Sequence, residues 1–328
     1  MTKTILDVVK ECDNFDPNSQ PKGPGAKCYT FHVNGYNTTT LGYLLPSIVQ
    51  KIHWSSNSSW SINHSQKTVT LATPPTATSA MRSSVLEDTL QATKRQATIS
   101  ILESWRDESF PVYGPRGEIV LEIERCASAL FGIVTYGVQL VCFVKNNQED
   151  QDSTLLLWIG KRSTQKQTYP GLLDTTAAGG LSAHKRPLEA LITEAREEAA
   201  LPEKLVRENV KPTGYLSYYH VRGPKAGGGG GGGGDSESGL FQPEIEYTYE
   251  LELDASVVLE PGDSEVESFR LYPVAEVLDA LREGLFKPNS GIVVVDFLIR
   301  HGVLKREEEI LGHLHRELEL PVLIQASD

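Results

Sequence analysis

The chain is poor in cysteine: four in 328 residues, Cys12, Cys28, Cys126 and Cys142, with no C-x-x-C spacing. Neither a zinc site nor a disulfide framework is indicated by that pattern. Long apolar runs are missing too; none reaches the roughly 20 residues needed to span a bilayer, so no membrane partner is expected. Basic charge is the minority sign, 31 residues against 43 acidic ones, for a net charge of −12. The basic stripe of a nucleic-acid binder is therefore absent, and a polyanionic substrate would need a metal ion or a local cluster of Lys and Arg. Met1–Asp7 lacks an apolar secretory core and carries an early acid, so a cytoplasmic location is expected, with the nucleus also open. Without a leader, the N-x-S/T matches at Asn37, Asn57 and Asn63 read as chance. The histidines show no metal-ligand spacing, and His313 and His315 read as solvated in a charged tail helix. No G-x-S-x-G elbow occurs.

What is present is an ordinary globular composition, 39% hydrophobic and 23% charged, in a chain long enough for two domains. In the first part, Ile5–Cys12 reads as an amphipathic helix and residues 18–26 as a Pro/Gly loop. Strands are expected at Tyr29–Val33 and Thr40–Tyr43, and a helix runs from Pro46 to Ile52. Ser55–Ser65 and Thr73–Ser84 read as Ser/Thr-rich loops, and Val85 to about Ala97 as a helix. A boundary is placed near residue 125. Beyond it, strands are expected at Leu130–Gly137, Val138–Val144, Leu155–Ile159 and Tyr215–Val221. Glu246–Leu253 alternates as a half-buried strand. Helices are read at Pro273–Arg282, ahead of Gly284, and at Ser290–His301, ahead of Gly302. Strands alternating with helices give an α/β sandwich. The eight glycines Gly227–Gly234 lack the Lys-Ser/Thr and the helix of a phosphate loop and read as a disordered hairpin insertion, residues 223–239.

The most informative stretch is Glu194-Ala-Arg-Glu197-Glu198. Pro187–Ala199 reads as a helix, with Pro187 at its first position and Leu188, Leu191, Ile192, Ala195 and Ala199 as an apolar stripe. At 100° per residue the carboxylates of 194, 197 and 198 share one narrow face. Their mutual repulsion costs a few tenths of a kcal/mol per pair, and a hard divalent cation, Mg²⁺ or Mn²⁺, would reverse it. Upstream, Ala178-Gly179-Gly180-Leu181 is a strand end that can bring backbone close to a phosphate. For an isolated E-x-x-E-E a solvated acidic face is the commoner outcome; the glycine pair shifts the balance.

These residues resemble a Nudix hydrolase box, G-x5-E-x7-R-E-U-x-E-E-x-G-U with U aliphatic. Gly179 falls on its first glycine, Glu194 on the first metal-binding glutamate, Glu197-Glu198 on the acidic pair, and Ala195 and Leu201 on aliphatic positions. Lys185, Thr193 and Ala200 depart from the early glutamate, the arginine and the late glycine. A narrower resemblance covers nearly the whole chain. Trp105-Arg-Asp-Glu-Ser-Phe-Pro-Val-Tyr113, Arg162 to Asp174, Glu265-Val-Glu-Ser-Phe269 and Phe286-Lys-Pro-Asn-Ser290 are similar to the thiamine-pyrophosphokinase-related Nudix subfamily. That resemblance implies a Nudix α/β/α sandwich with a mixed sheet over 126–303, preceded by a small α+β domain at 1–125 and followed by a helical tail at 304–328. No kinase activity is implied.

The implied activity is removal of the terminal phosphate from thiamine diphosphate or its oxo and oxy analogues, with magnesium (manganese also open) held by Glu194, Glu197 and Glu198. Glu197, Glu198, Glu265 and Glu267 are the catalytic candidates, and the general base stays open among Glu198, Glu265 and Glu267. Two acids on a strand's solvent face is an equal reading for 265 and 267. Arg162 and Lys166 are candidates to hold the diphosphate, against plain surface charge. With Gly179 and Gly180 lining the floor, Tyr169, Trp158 and Trp105 could stack on a ring, although core packing is the commoner fate of such aromatics. Two rivals remain: a pyrophosphatase of nucleoside diphosphate derivatives, and a Nudix domain that binds a ligand without turnover. Oligomeric state is not legible.

Overall fold

The computed structural model describes residues 2–15, 28–36, 38–54, 59–146, 154–166, 168–223 and 239–325. The glycine run, the loop at 18–26 and the sequons at Asn37 and Asn57 lie outside them. Helix α1 (Ile5–Cys12) begins at a reciprocal cap, in which the Asp7 N–H donates to Thr4 Oγ1 at 3.1 Å and the Thr4 N–H to Asp7 Oδ2 at 2.8 Å.

In the first module, β1 (Tyr29–Val33), β2 (Gly42–Leu44), β3 (Trp60–Asn63) and β4 (Thr68–Leu71) form a sheet of order β2-β1-β4-β3, with β1 and β4 parallel. Helices α2 (Pro46–Lys51) and α3 (Ser79–Arg95) and the hairpin β5 (Ser109–Tyr113)–β6 (Ile119–Glu124) complete it. Two expected loops are corrected here. Trp60–Asn63 is a strand, and α3 starts six residues before Val85. Thr78 caps α3 through Met81 N–H, and inside the helix Ser83, Thr89 and Thr93 turn their hydroxyls onto the carbonyls four residues back. Hydroxyls satisfied in this way let a Ser/Thr-rich stretch stay helical. The strand expected at Leu130–Gly137 is also corrected: Ser128–Phe131 is one helical turn, α4, closed by Gly132 at φ 53°. Leu130, Phe131 and Ile133 pack with Phe31, Leu44 and Leu71 in the first module's core.

The second module is built on β7 (Thr135–Asn146), β8 (Thr154–Arg162), β9 (Leu173–Asp174), β10 (Ala177–Gly180), β11 (Lys211–Val221), β12 (Phe241–Glu252) and β13 (Val266–Pro273). The sheet runs β11-β12-β7-β8-β13, with β10 added to β7 and β9 to β8. β7 and β12 are parallel and the other pairs antiparallel, so the sheet is mixed. Val138, Leu140 and Cys142 pack on one face with Leu191 and Ala195 of α5 (Pro187–Ala199). Val141, Phe143, Leu157 and Ile159 pack on the other with α8 (Pro288–Arg300) and with Val8 and Val9 of α1. The result is an α/β/α sandwich. Helices α6 (Glu203–Asn209), α7 (Val274–Glu283) and α9 (Glu308–Leu314) flank it.

Strand β12 is not half-buried. Glu246, Thr248 and Glu250 are 4%, 1% and 8% exposed, because β11 and β7 flank the strand and α8 covers its polar face. Glu250 pairs there with Arg300 and His301. His313 is likewise not free in solvent: its Nδ1 meets the buried Asp13 at 2.6 Å. Among the described residues no helix is long and apolar enough to cross a membrane.

Candidate active site

A cavity of about 580 Å³ opens where β10, the start of β7 and the end of α5 meet the first module. Gly179, Gly180, Glu194, Glu197, Glu198, Arg162, Lys166, Tyr169 and Glu265 all line it. Both glycines mark a close approach of side chains to the strand. A Cβ at 179 would overlap the Glu194 carboxylate, and one at 180 would come within 2.9 Å of Phe110 and 3.5 Å of the Arg125 guanidinium carbon. The Glu194 side chain, as it stands, thus packs directly on bare backbone of β10.

Three acids approach this edge. Glu198 is buried and accepts the Ala178 N–H at 2.8 Å through Oε2. Burial first, then Asp174 and Glu194, push its carboxyl up to about 8 despite that bond. Burial, with Glu197 and Glu265, pushes Glu194 to about 7, while Arg125 and Lys185 pull the other way. Glu197 is exposed and accepts from Arg196 at 3.0 Å. Among the described residues no three His, Cys, Asp or Glu side chains converge closely enough to hold an ion as they stand. The donor chemistry nevertheless fits a hard cation. Buried Glu198 and half-buried Glu194 both have carboxyls pushed well above the usual range, which a bound cation would reverse, and Glu197 lines the same cavity from the same helix.

The other expected residues divide. Glu265 faces the cavity and takes an ion pair from Lys166. Burial raises its carboxyl, but Lys166 outweighs that and holds it below the usual range. Glu267 lies outside the cavity, exposed and paired with Lys161 at 2.7 Å; a bulge between Val266 and Ser268 breaks the strand's alternation there. Arg162 is buried and turns inward, donating to Asp174 at 2.7 Å, Thr168 O at 2.9 Å and Tyr169 O at 3.1 Å. It thereby holds the 168–174 loop, in which Tyr169 adopts φ 50°. The Tyr169 hydroxyl meets His220 Nε2 at 3.1 Å. Trp158 is core. Trp105 bonds Asp107 and lies under Lys94, outside the cavity.

Sequence reasoning missed several lining residues. Arg106, Phe110 and Arg125 come from the first module. Arg125 is fixed by Glu108 at 2.8 Å, and Glu108 accepts Ser182 Oγ at 2.8 Å from beyond β10. Glu244, Glu246, Lys287 and Asn289 line the far wall. Their signal was present, in the acids alternating along β12 and in the Phe286-Lys-Pro-Asn run, but a polar inner face and a solvent face share one pattern.

The three departures from the box also have structural counterparts. Thr193 bonds back to the Glu189 carbonyl at 2.8 Å, and the Glu189 carboxylate takes both terminal nitrogens of Arg207, on α6, at 2.8 and 3.0 Å. Lys185 lies beside Glu194 and pulls its carboxyl down. Ala200 stands in the left-handed region at φ 51°, where glycine is the favoured residue.

A family model described as the NUDIX domain matches residues 135–290, and one described as a domain of unknown function, DUF4743, matches 4–135. Uncharacterized protein YJR142W of Saccharomyces cerevisiae is 33% identical over 247 residues, covering 74% of this chain and 70% of that protein. Nudix hydrolase 20, chloroplastic, of Arabidopsis thaliana is 34% identical over 66% of this chain; the match spans about half (53%) of the plant protein's length. The crystal structure of DR0079 from Deinococcus radiodurans is 21% identical, covers 57% of this chain and 98% of that one, and overlaps with a TM-score of 0.39. The chain carries a NUDIX domain over residues 135–290, preceded by a DUF4743 domain over 4–135.

Proposed function

We propose that this Nudix hydrolase removes the terminal phosphate from thiamine diphosphate or its oxo and oxy analogues in the cytoplasm, using Mg²⁺ or Mn²⁺. The observation that carries the chemistry is the packing of Glu194 and Glu198 on the bare Gly179–Gly180 edge, with Arg125 and Lys166 at the same cavity. The thiamine assignment is supported by the motifs around Trp105–Tyr113, Arg162–Asp174 and Phe286–Ser290.

Glu194, Glu197 and Glu198 would hold the ion. A divalent cation held there would neutralise diphosphate charge and acidify the attacking water. Arg125, clamped by Glu108, and Lys166 present cations to the phosphate oxygens, and the glycine edge admits the phosphates without a side chain in the way. In the reaction, water oxygen bonds the terminal phosphorus, the anhydride P–O bond breaks, and the water's proton passes to a cavity carboxylate. Glu265 fits that last role better than Glu267, which faces solvent. The monophosphate and inorganic phosphate leave.

Hydrolysis would be measured as inorganic phosphate from thiamine diphosphate and oxothiamine diphosphate and as nucleoside monophosphate from ADP-ribose and NAD, with and without Mg²⁺, using Glu198→Gln as control. Mg²⁺-dependent release favouring the thiamine compounds is expected. Cleavage of ADP-ribose or NAD to a nucleoside monophosphate would discard the substrate and keep the hydrolase chemistry. Tight binding without turnover would discard the hydrolase reading.

A further inference from the structure

The cations at the cavity do not all come from the second module, and one arginine of the first is unspent. Of the four arginines lining the cavity, Arg125 donates to Glu108, Arg162 to Asp174 and Arg222 to Gln242. Arg106 is exposed, and among the described residues its guanidinium makes no hydrogen bond or ion pair; only its backbone N–H is bonded. That backbone is held firmly. Glu124, 7% exposed, accepts the Arg106 N–H at 3.1 Å and the Cys126 N–H at 3.4 Å through the same oxygen, Oε1. Beside it Asp107 stands in the left-handed region at φ 57°, uncommon outside glycine, and its carboxylate accepts Trp105 Nε1 at 2.9 Å. A buried carboxylate and a left-handed turn thus hold at the cavity an arginine with no partner of its own.

The position of Arg106 points to the reacting end of a bound diphosphate. It shares the cavity with the Lys166–Glu265 pair, and its charge reaches Glu265: burial raises that carboxyl, while Lys166 first, then Arg106 and Arg162, pull it down. Glu265 is the carboxylate placed to take the proton of the attacking water, so a cation beside it lies at the terminal phosphate. In a chain of net charge −12, an anion is drawn in only by such local cations. A free terminal phosphate carries about −1.5 to −2 and three acceptor oxygens; a phosphate bridged on both sides has less charge and fewer free oxygens. A guanidinium fork meets two phosphate oxygens at once, and the free end rewards it most.

We propose that Arg106, acting with Arg125 and Lys166, selects a free terminal phosphate, so that the substrate class is organic diphosphates with an open end rather than diphosphates bridging two organic groups. This rests on the hydrolase reading above for the diphosphate itself. The first module thereby supplies specificity, and the Trp105–Tyr113 motif gains a physical reading: Trp105 and Asp107 shape the turn that offers Arg106.

The test is binding within matched pairs that share an organic end. One pair is thiamine diphosphate and its terminal methyl ester; the other is ADP and ADP-ribose. Every compound carries a methylene bridge in place of the anhydride oxygen, so none is turned over. They are titrated calorimetrically, with Mg²⁺, into the full chain and into Arg106→Met and Arg106→Lys. The wild-type chain is expected to bind the open-ended member of a pair at least tenfold more tightly. Arg106→Met should bring that ratio toward one with an unmoved thermal midpoint, and Arg106→Lys should keep part of it, since lysine retains the charge and loses the fork. Damage to folding would weaken both members alike and leave the ratio standing. Equal affinity within both pairs for the wild-type chain, an unchanged ratio in Arg106→Met, or no binding of any of the compounds overturns the inference. Failure of the hydrolase reading appears separately, as absence of turnover of every natural diphosphate by the wild-type chain.

Discussion

Replacing Gly179 with alanine separates stability from activity in this site. The added methyl would overlap Cγ, Cδ and Oε1 of Glu194, all atoms of one side chain that can rotate away. An off-rotamer side chain costs about 0.5–1.5 kcal/mol, and alanine regains about 0.4–1 kcal/mol by restricting the unfolded chain. The net change in stability is therefore expected to stay within about 1 kcal/mol. Activity fares differently, because Glu194 must leave its place beside the phosphate edge. Displacing a reacting group by about 1 Å can cost about a hundredfold, or about 2.7 kcal/mol of barrier. Gly262 is the matched contrast. Its Cβ would overlap the Glu197 carbonyl oxygen and lie 3.0 Å from Arg196 O and 3.1 Å from Ala200 N, all backbone of the α5 end. Backbone cannot rotate away, so Gly262→Ala should lose about 1–3 kcal/mol of stability. Urea unfolding and phosphate release, run on both variants, read the two quantities. Wild-type kcat in Gly179→Ala, or a larger stability loss there than in Gly262→Ala, would refute the reasoning.

Ala200→Gly should stabilise the protein by about 1 kcal/mol, since a left-handed L-residue costs roughly 1–2 kcal/mol and glycine does not; an unchanged or lower urea midpoint contradicts this. Asp174→Asn leaves Arg162 buried without its carboxylate and should cost about 3–5 kcal/mol at neutral pH. Burial raises the Asp174 carboxyl, but Lys287, Arg162 and Ser290 together hold it below its ordinary 3.8. Its contribution is therefore complete above that value and lost as pH falls through the lower folded value. The gap between wild type and variant should narrow only below about pH 4, and a gap that closes between pH 5 and 7 would oppose the assignment. Arg125→Met should raise KM for a diphosphate substrate about tenfold or more, as loss of a charge-assisted bond worth about 1.5–3 kcal/mol requires, while loss of its ion pair with Glu108 lowers the thermal midpoint modestly. An unchanged KM would remove Arg125 from the site.

Much of this was legible in the sequence because its signals are local. Pro187 and the apolar stripe fix α5 to the residue, and the amphipathic pattern of Ile5–Cys12 gives α1 its observed bounds. Glycine at 179 and 180 marked a close approach, although only the fold shows that the approaching group at 179 is Glu194 itself. What failed was information that lives in the third dimension. A Ser/Thr-rich run hid the first turns of α3, since hydroxyls bonded to carbonyls four residues back cost the helix little. Alternation in β12 read as one wet face, when the second face is covered by α8 and lines the cavity. Arg125 carried no motif at all, and its place beside Glu194 depends on two modules meeting at Ser182 and Glu108.

The central claim is that the carboxylates of α5 hold a divalent cation where a diphosphate is cleaved. Mn²⁺ binding followed by electron paramagnetic resonance, in the wild-type chain and in Glu197→Gln and Glu198→Gln, tests it most directly. The account predicts a saturable site in the wild type that both variants lose, together with turnover, while the circular dichroism spectrum stays the same. Mn²⁺ bound equally by all three proteins, or normal turnover in both variants, would contradict it.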